Sequence, residues 1–230
     1  MLSNYDASGG LTWSPTAQAH AGCAGLRSRC FHQRHDMSDP RQVLRNGDAL
    51  IVVDVQVDFC PGGALPIEHG DEVVAVLNHW IAGASEAQIP IYISRDWHPL
   101  HHLSFAESGG AWPVHCVQDS PGARFHPDLN LPASAVVVTK GTRFDRDQYS
   151  AFDETGLTTE LAKQGVRRVF VGGLAQDVCV RATVLDARRE GFDAVVIADA
   201  TRPVTRDGGE RANEEMRQAG ARFDTTNGEP

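Results

Sequence analysis

Three apolar runs in this chain each lead into a residue that could do chemistry. Ala49-Leu50-Ile51-Val52-Val53 ends on Asp54, and Ala135-Val136-Val137-Val138-Thr139 ends on Lys140. Arg168-Val169-Phe170-Val171-Gly172-Gly173 runs into a segment that reads as a helix and carries Cys179. A carboxylate, an ammonium and a thiol are thereby expected just past the C-terminal ends of buried strands. In an open parallel α/β sheet, that edge is where ligands bind. A thiol beside an acid and a base is the composition of a nucleophilic cysteine site, so hydrolysis is the first chemistry to test.

Each residue also has a plain structural reading. A buried Cys often packs as an inert small hydrophobe, and most lysines are surface charges. Two glycines followed at once by a helix argue for a sharp strand–turn–helix at Cys179. A thiol in a first helical turn meets the positive end of the helix dipole and unpaired N–H groups, which favour the thiolate. Lys140 follows Val-Val-Val-Thr, where the sheet would hold its stem. Asp58 would face the same way as Asp54 in an extended chain, so spacing leaves open which of the two is the base.

A second set lies in Asp96-Trp97-His98-Pro99-Leu100-His101-His102 and Trp112-Pro113-Val114-His115-Cys116. One carboxylate and two imidazoles from a Pro-stiffened loop can hold one divalent ion (Zn²⁺, Mn²⁺ or Fe²⁺) and leave coordination positions open. His101 and His102 stay ambiguous, because consecutive residues rarely converge on one ion. Cys116 could also ligate, but is expected to pack inward.

The elements that must position these groups alternate. Strands are expected at 48–57, 90–95, 135–139, 167–172, 193–198 and 221–225, with helices at about 71–88, 156–165, 177–190 and 207–219. Near-continuous apolar strands between amphipathic helices predict a three-layer α/β domain: a mostly parallel six-stranded sheet with helices on both faces. The stretch 96–134 is rich in His, Pro, Gly and Trp and exceeds ordinary connection lengths, which marks a functional loop. Residues 1–46 show no hydrophobic period. They are expected to be a disordered extension, or a preface to a start at Met37, with the domain at 47–230. Cys23, Cys30, His32 and His35 could form a small zinc site, but their spacing matches no common finger.

At 24.9 kDa the chain suits one full α/β domain. A formal charge of −9 argues against nucleic-acid or anionic membrane surfaces, which would repel it. No apolar run nears the ~20 residues needed to span a bilayer, and no secretory leader is expected from the first residues. Five cysteines at irregular spacings are no disulfide framework and fit the reducing cytoplasm.

Several segments together resemble the nicotinamidases of the isochorismatase-like cysteine hydrolase superfamily. They are Ile51 to Leu65 (IVVDVQVDFCPGGAL), Arg95-Asp96-Trp97-His98-Pro99, His102-Leu103-Ser104-Phe105, Trp112 to Val117, Lys140-Gly141-Thr142, Tyr149-Ser150-Ala151-Phe152 and Gly173 to Val180. The resemblance spans about 180 residues. It implies a metal-dependent amidohydrolase of NAD salvage that converts nicotinamide to nicotinate and ammonia, and pyrazinamide likewise. Asp54 would be the base, Lys140 the activating cation and Cys179 the nucleophile. Asp96, His98 and His115 would hold the ion, with His102 a ligand only in some relatives. Phe59, Trp112 and Tyr149 would line the ring pocket. A cis Leu174–Ala175 bond would aim the Ala175 N–H, with the Cys179 N–H, at the oxyanion. Val178 stands where some relatives have His. The expected partner is a small-molecule amide, and a homo-oligomer is left open. A carbamoyl or ureido amidohydrolase would keep Asp54, Lys140 and Cys179 without needing the metal set, and an idle binding protein would have no chemical need for all six.

Overall fold

A computed structural model describes residues 39–226. Six strands make one sheet: β1 (Asp48–Val53), β2 (Ile91–Asp96), β3 (Val136–Lys140), β4 (Arg168–Leu174), β5 (Asp193–Arg202) and β6 (Arg222–Asp224). Their order is β3-β2-β1-β4-β5-β6, and every pairing is parallel. The helices are α1 (Pro40–Val43), α2 (Val73–Glu86), α3 (Leu157–Lys163), α4 (Arg181–Arg189) and α5 (Arg206–Gln218). The strand order reverses between β1 and β4, and the crevice at such a reversal is where open α/β sheets take ligands.

All six residues of β1 are buried, so the central strand presents apolar side chains to both faces. Leu50 and Val52 join one core with α2, whose Val73, Leu77, Trp80 and Ala84 recur at helical spacing. Ala49, Ile51 and Val53 join the other core with Leu161 of α3, Val184 of α4 and Met216 of α5. The three layers follow from this alternation. At the N-terminal edge, register pairs Asp48 with Arg168, and the guanidinium holds the carboxylate through two bonds of 2.8 and 2.6 Å. That edge is closed by an ion pair, and the opposite edge is free for the cleft.

Three element boundaries differ from the sequence expectation. β1 stops at Val53, not 57, because Asp54 turns out of the strand with φ of 46°. β5 runs on to Arg202 through a register shift against β4. The helix expected from 177 opens as a five-residue π-helical turn, Gln176–Val180, before α4. The domain also begins ahead of residue 47. Asp39 caps α1 by accepting the Arg41 N–H at 3.0 Å, α1 packs on α2, and Leu44 is buried. Cys23, Cys30, His32 and His35 lie outside the described residues.

Candidate active site

Neighbouring strand ends build the floor of the cleft. Asp96 ends β2 and Lys140 ends β3, and parallel register sets the two opposite one another. Asp54 follows β1, and its left-handed turn carries the carboxylate under the same ammonium. Lys140 Nζ stands 2.7 Å from Asp54 Oδ2, 2.7 Å from Asp96 Oδ1 and 3.4 Å from Cys179 Sγ. Lys140 and Asp54 are fully buried, and Ser94 donates its hydroxyl to Asp54 Oδ1 at 2.8 Å. Ser94 was not singled out in the sequence. A polar residue two positions before Asp96 in an otherwise apolar strand was the signal, since alternate residues share a face.

Burial dominates the titration of this group. It pushes the Cys179 thiol up, against the pull of Lys140 and with help from the two carboxylates. The helix end expected to lower the thiol's pKa is therefore outweighed. Burial likewise raises Asp54, aided by the Asp96 charge and opposed by Lys140. For Asp96 burial also acts upward, but Lys140 and His98 together hold its carboxyl below the usual range. Burial would lower Lys140, yet Asp54 and Asp96 keep it well above an ordinary lysine. Lys140 stays charged and Asp96 ionised, while burial favours the protonated form of both Asp54 and Cys179. With Asp54 ionised, such a set can pass the thiol proton to the carboxylate while the ammonium offsets the thiolate.

Asp58 is not part of it. Its carboxylate accepts the Cys116 N–H at 2.7 Å and the Ala64 N–H at 3.2 Å, tying two loops together. Cys116 is buried as expected, and burial pushes its thiol far up; Cys60 is raised to about 11 by burial and by Asp71.

Asp96, His98 and His115 bring ligand atoms within 4.8 Å of one another. Each ring is oriented by a carbonyl, which can only accept. His98 Nδ1 donates to Gly141 O at 2.9 Å and His115 Nδ1 donates to Pro113 O at 2.7 Å, so both Nε2 atoms keep their lone pairs. The donor set fits a divalent ion. His102 differs: its Nε2 donates to Arg143 O at 2.8 Å and its Nδ1 accepts from Ser104 Oγ at 2.7 Å. It stacks on His98 at 4.4 Å between centroids, while His101 is exposed.

The cleft above this floor encloses about 400 Å³, its open mouth included. Phe59, Trp112, Tyr149, Ala175, Val178 and Cys179 line it, together with Leu65, Ile67, Val204 and Asp147, which the sequence reading missed. Trp112 Nε1 donates to Tyr149 Oη at 3.1 Å, joining the aromatic walls. The Leu174–Ala175 peptide is cis. Gln56, also unremarked in the sequence, is fully buried. Its amide donates to Asp96 O at 2.8 Å and Ala123 O at 2.9 Å and accepts the Asp96 N–H at 2.8 Å, pinning the end of β2 to the long loop.

A parallel sheet with thiol, ammonium and carboxylates at its switch point defines a cysteine hydrolase on a three-layer α/β fold. The isochorismatase domain model matches residues 48–228, and the chain belongs to that family. Among its relatives is the nicotinamidase of Escherichia coli strain K12, 40% identical over 177 residues, which cover 68% of this chain and 83% of that one. The solved pyrazinamidase of Pyrococcus horikoshii in complex with zinc is 45% identical, with a TM-score of 0.76 over 78% of this chain and 99% of that one. PnC1 from L. infantum in complex with nicotinate is 38% identical, with a TM-score of 0.73 over 79% of this chain and 93% of that one. Among the described residues, no helix is long and apolar enough to cross a membrane.

Proposed function

We propose that this chain is a cysteine amidohydrolase that converts nicotinamide to nicotinate and ammonia, accepts pyrazinamide, and serves NAD salvage. The observation that carries the reading is the buried Lys140 ammonium, in contact with Asp54, Asp96 and Cys179 beneath an aromatic cleft. Asp54 takes the thiol proton, and Cys179 Sγ attacks the carboxamide carbon. The Ala175 and Cys179 N–H groups receive the oxyanion, at about 2.7–4 kcal/mol per donor in comparable sites. Asp54 then hands its proton to the departing ammonia as the C–N bond breaks. Water next attacks the thioester and Asp54 accepts its proton; as the C–S bond breaks Asp54 returns that proton to the sulfur, and the acid leaves and ionises to nicotinate.

Asp96, His98 and His115 would hold the divalent ion, and Phe59, Trp112 and Tyr149 would flank the ring. When bound, such an ion supplies a Lewis-acidic contact for the ring nitrogen. Zinc is the first ion to test, ahead of manganese and iron, since the P. horikoshii relative is a zinc complex. We assign the enzyme to a reducing cytoplasm, a reading supported by the free thiols of Cys60, Cys116 and Cys179.

Ammonia release from a panel of amides, with metal analysis of the same sample, tests the reading. Nicotinamide and pyrazinamide should be hydrolysed by metal-loaded protein. Activity confined to a ureido or carbamoyl substrate in verified metal-free protein would replace the substrate assignment and leave the cysteine chemistry standing.

A further inference from the structure

Asp147 lines the cleft beside Tyr149, Trp112 and Cys179. A carboxylate oxygen lies within 4.8 Å of ring nitrogens of His98 and His102, and Asp147 Oδ1 accepts the Gln148 N–H at 2.9 Å. The cations nearest in sequence are engaged elsewhere: Arg143 pairs with Asp145 and Glu154, and Arg146 with Asp153 and Glu154. Lys140 is fully buried between two other carboxylates. The cleft lining therefore contains two carboxylates, Asp96 and Asp147, and no Lys or Arg. Lys140 offsets the first. Among the described residues no Lys or Arg pairs with the second, although a divalent ion held by Asp96, His98 and His115 would add positive charge near it.

The reaction proposed above changes the charge of its ligand: the carboxamide is neutral and the acid is an anion. Resting on that reading, we propose that Asp147 is a specificity residue that sets the cleft against anionic aromatic acids, favouring the amide over its own product. A unit charge within several ångströms in a partly dehydrated cleft shifts an anion's affinity by about three- to tenfold and leaves a neutral isostere nearly untouched. The Gln148 N–H, bonded to Asp147 Oδ1, holds the carboxylate in place at the cleft wall.

The test uses the full chain with Cys179→Ala to stop turnover, and adds Asp147→Asn or Asp147→Glu in that background. Calorimetric titrations with nicotinamide and with nicotinate give the ratio of their affinities, and metal content is measured in every sample. Asp147→Asn should raise the nicotinate-to-nicotinamide affinity ratio about three- to tenfold, Asp147→Glu should keep the parent ratio, and added salt should shrink the difference. An unchanged ratio in the Asn variant overturns the proposal, including the case where both ligands weaken together. Equal ratios in the Asn and Glu variants overturn it too. Wild-type protein that releases no ammonia from nicotinamide would count against the proposed reaction instead, because the affinity ratio is read without turnover.

Discussion

Lys140 touches two carboxylates and a thiol at once, and that triple contact decides what each substitution should do. Cys179→Ala removes the group that forms the thioester, so ammonia release should fall below roughly a hundredth of wild type with the circular dichroism unchanged. Cys60→Ala and Cys116→Ala should retain most activity, since neither thiol lines the cleft, whereas Cys179 lines it and contacts Lys140. Lys140→Met removes the one group that pulls the Cys179 thiol down, so the pH profile of alkylation should move upward. An unmoved profile would leave Lys140 a structural role only. The same change strands two buried carboxylates and should cost about 3–5 kcal/mol of stability. Its pH dependence has a definite sign. In the wild type Lys140 depresses Asp96, whose contribution is therefore full above about pH 3.9 and lost only as pH falls toward the lower folded value. Without Lys140, burial raises both carboxyls, so the folded variant binds more protons than the unfolded chain. The stability gap between wild type and variant should then narrow as pH falls from neutrality toward the unfolded carboxyl value of about 3.9, as thermal melts would read. The six chemistry-bearing residues were legible because each stands after an apolar run or in a Pro-stiffened loop. The choice between Asp54 and Asp58 came from the family resemblance and not from spacing, because a single left-handed residue at Asp54 breaks the alternation on which spacing arguments rest. Asp147 sits in a polar stretch with no period to single it out.

At the level of elements, the end of β2 and the long loop after it carry the metal set, but its three members are not equivalent. Neither His98 nor His115 pairs with Lys140, Asp54 or Cys179, whereas Asp96 bonds Lys140 directly and stands 3.8 Å from His98 Nε2. His98→Ala and His115→Ala should lose the ion and raise KM for nicotinamide while Cys179 stays alkylatable. Chelation should mimic them and an added divalent ion should reverse it. Asp96→Ala should disturb both metal content and alkylation. Gly141 offers a separate handle on the same element. It has φ of +70°, and a Cβ there would meet the His98 ring. Gly141→Ala should therefore reduce metal content although no ligand is removed; full metal retention would show that the ring can yield. The strands and helices were readable because both their periods were clean. The end of β1, the extension of β5 and the π-helical turn were not, since each depends on a local backbone departure made good by tertiary hydrogen bonds.

Over the whole molecule, the sheet is held at one edge by the Asp48–Arg168 pair and carries its buried charges at the other. Leu77→Ala, deep in the α2 layer and far from chemistry by sequence, should cost about 2–5 kcal/mol and lower the melting temperature without altering KM. The burial of Lys140 has one more consequence, and it concerns labelling. The chain has only two lysines, Lys140 and Lys163. Lys163 is exposed at the end of α3, and Lys140 is sealed. An amine-directed reagent added to native protein should therefore acylate Lys163 at once and reach Lys140 only when the strand ends part. The rate of mass gain on the Lys140 peptide becomes a clock for opening of this edge of the sheet, set against an internal standard in the same chain.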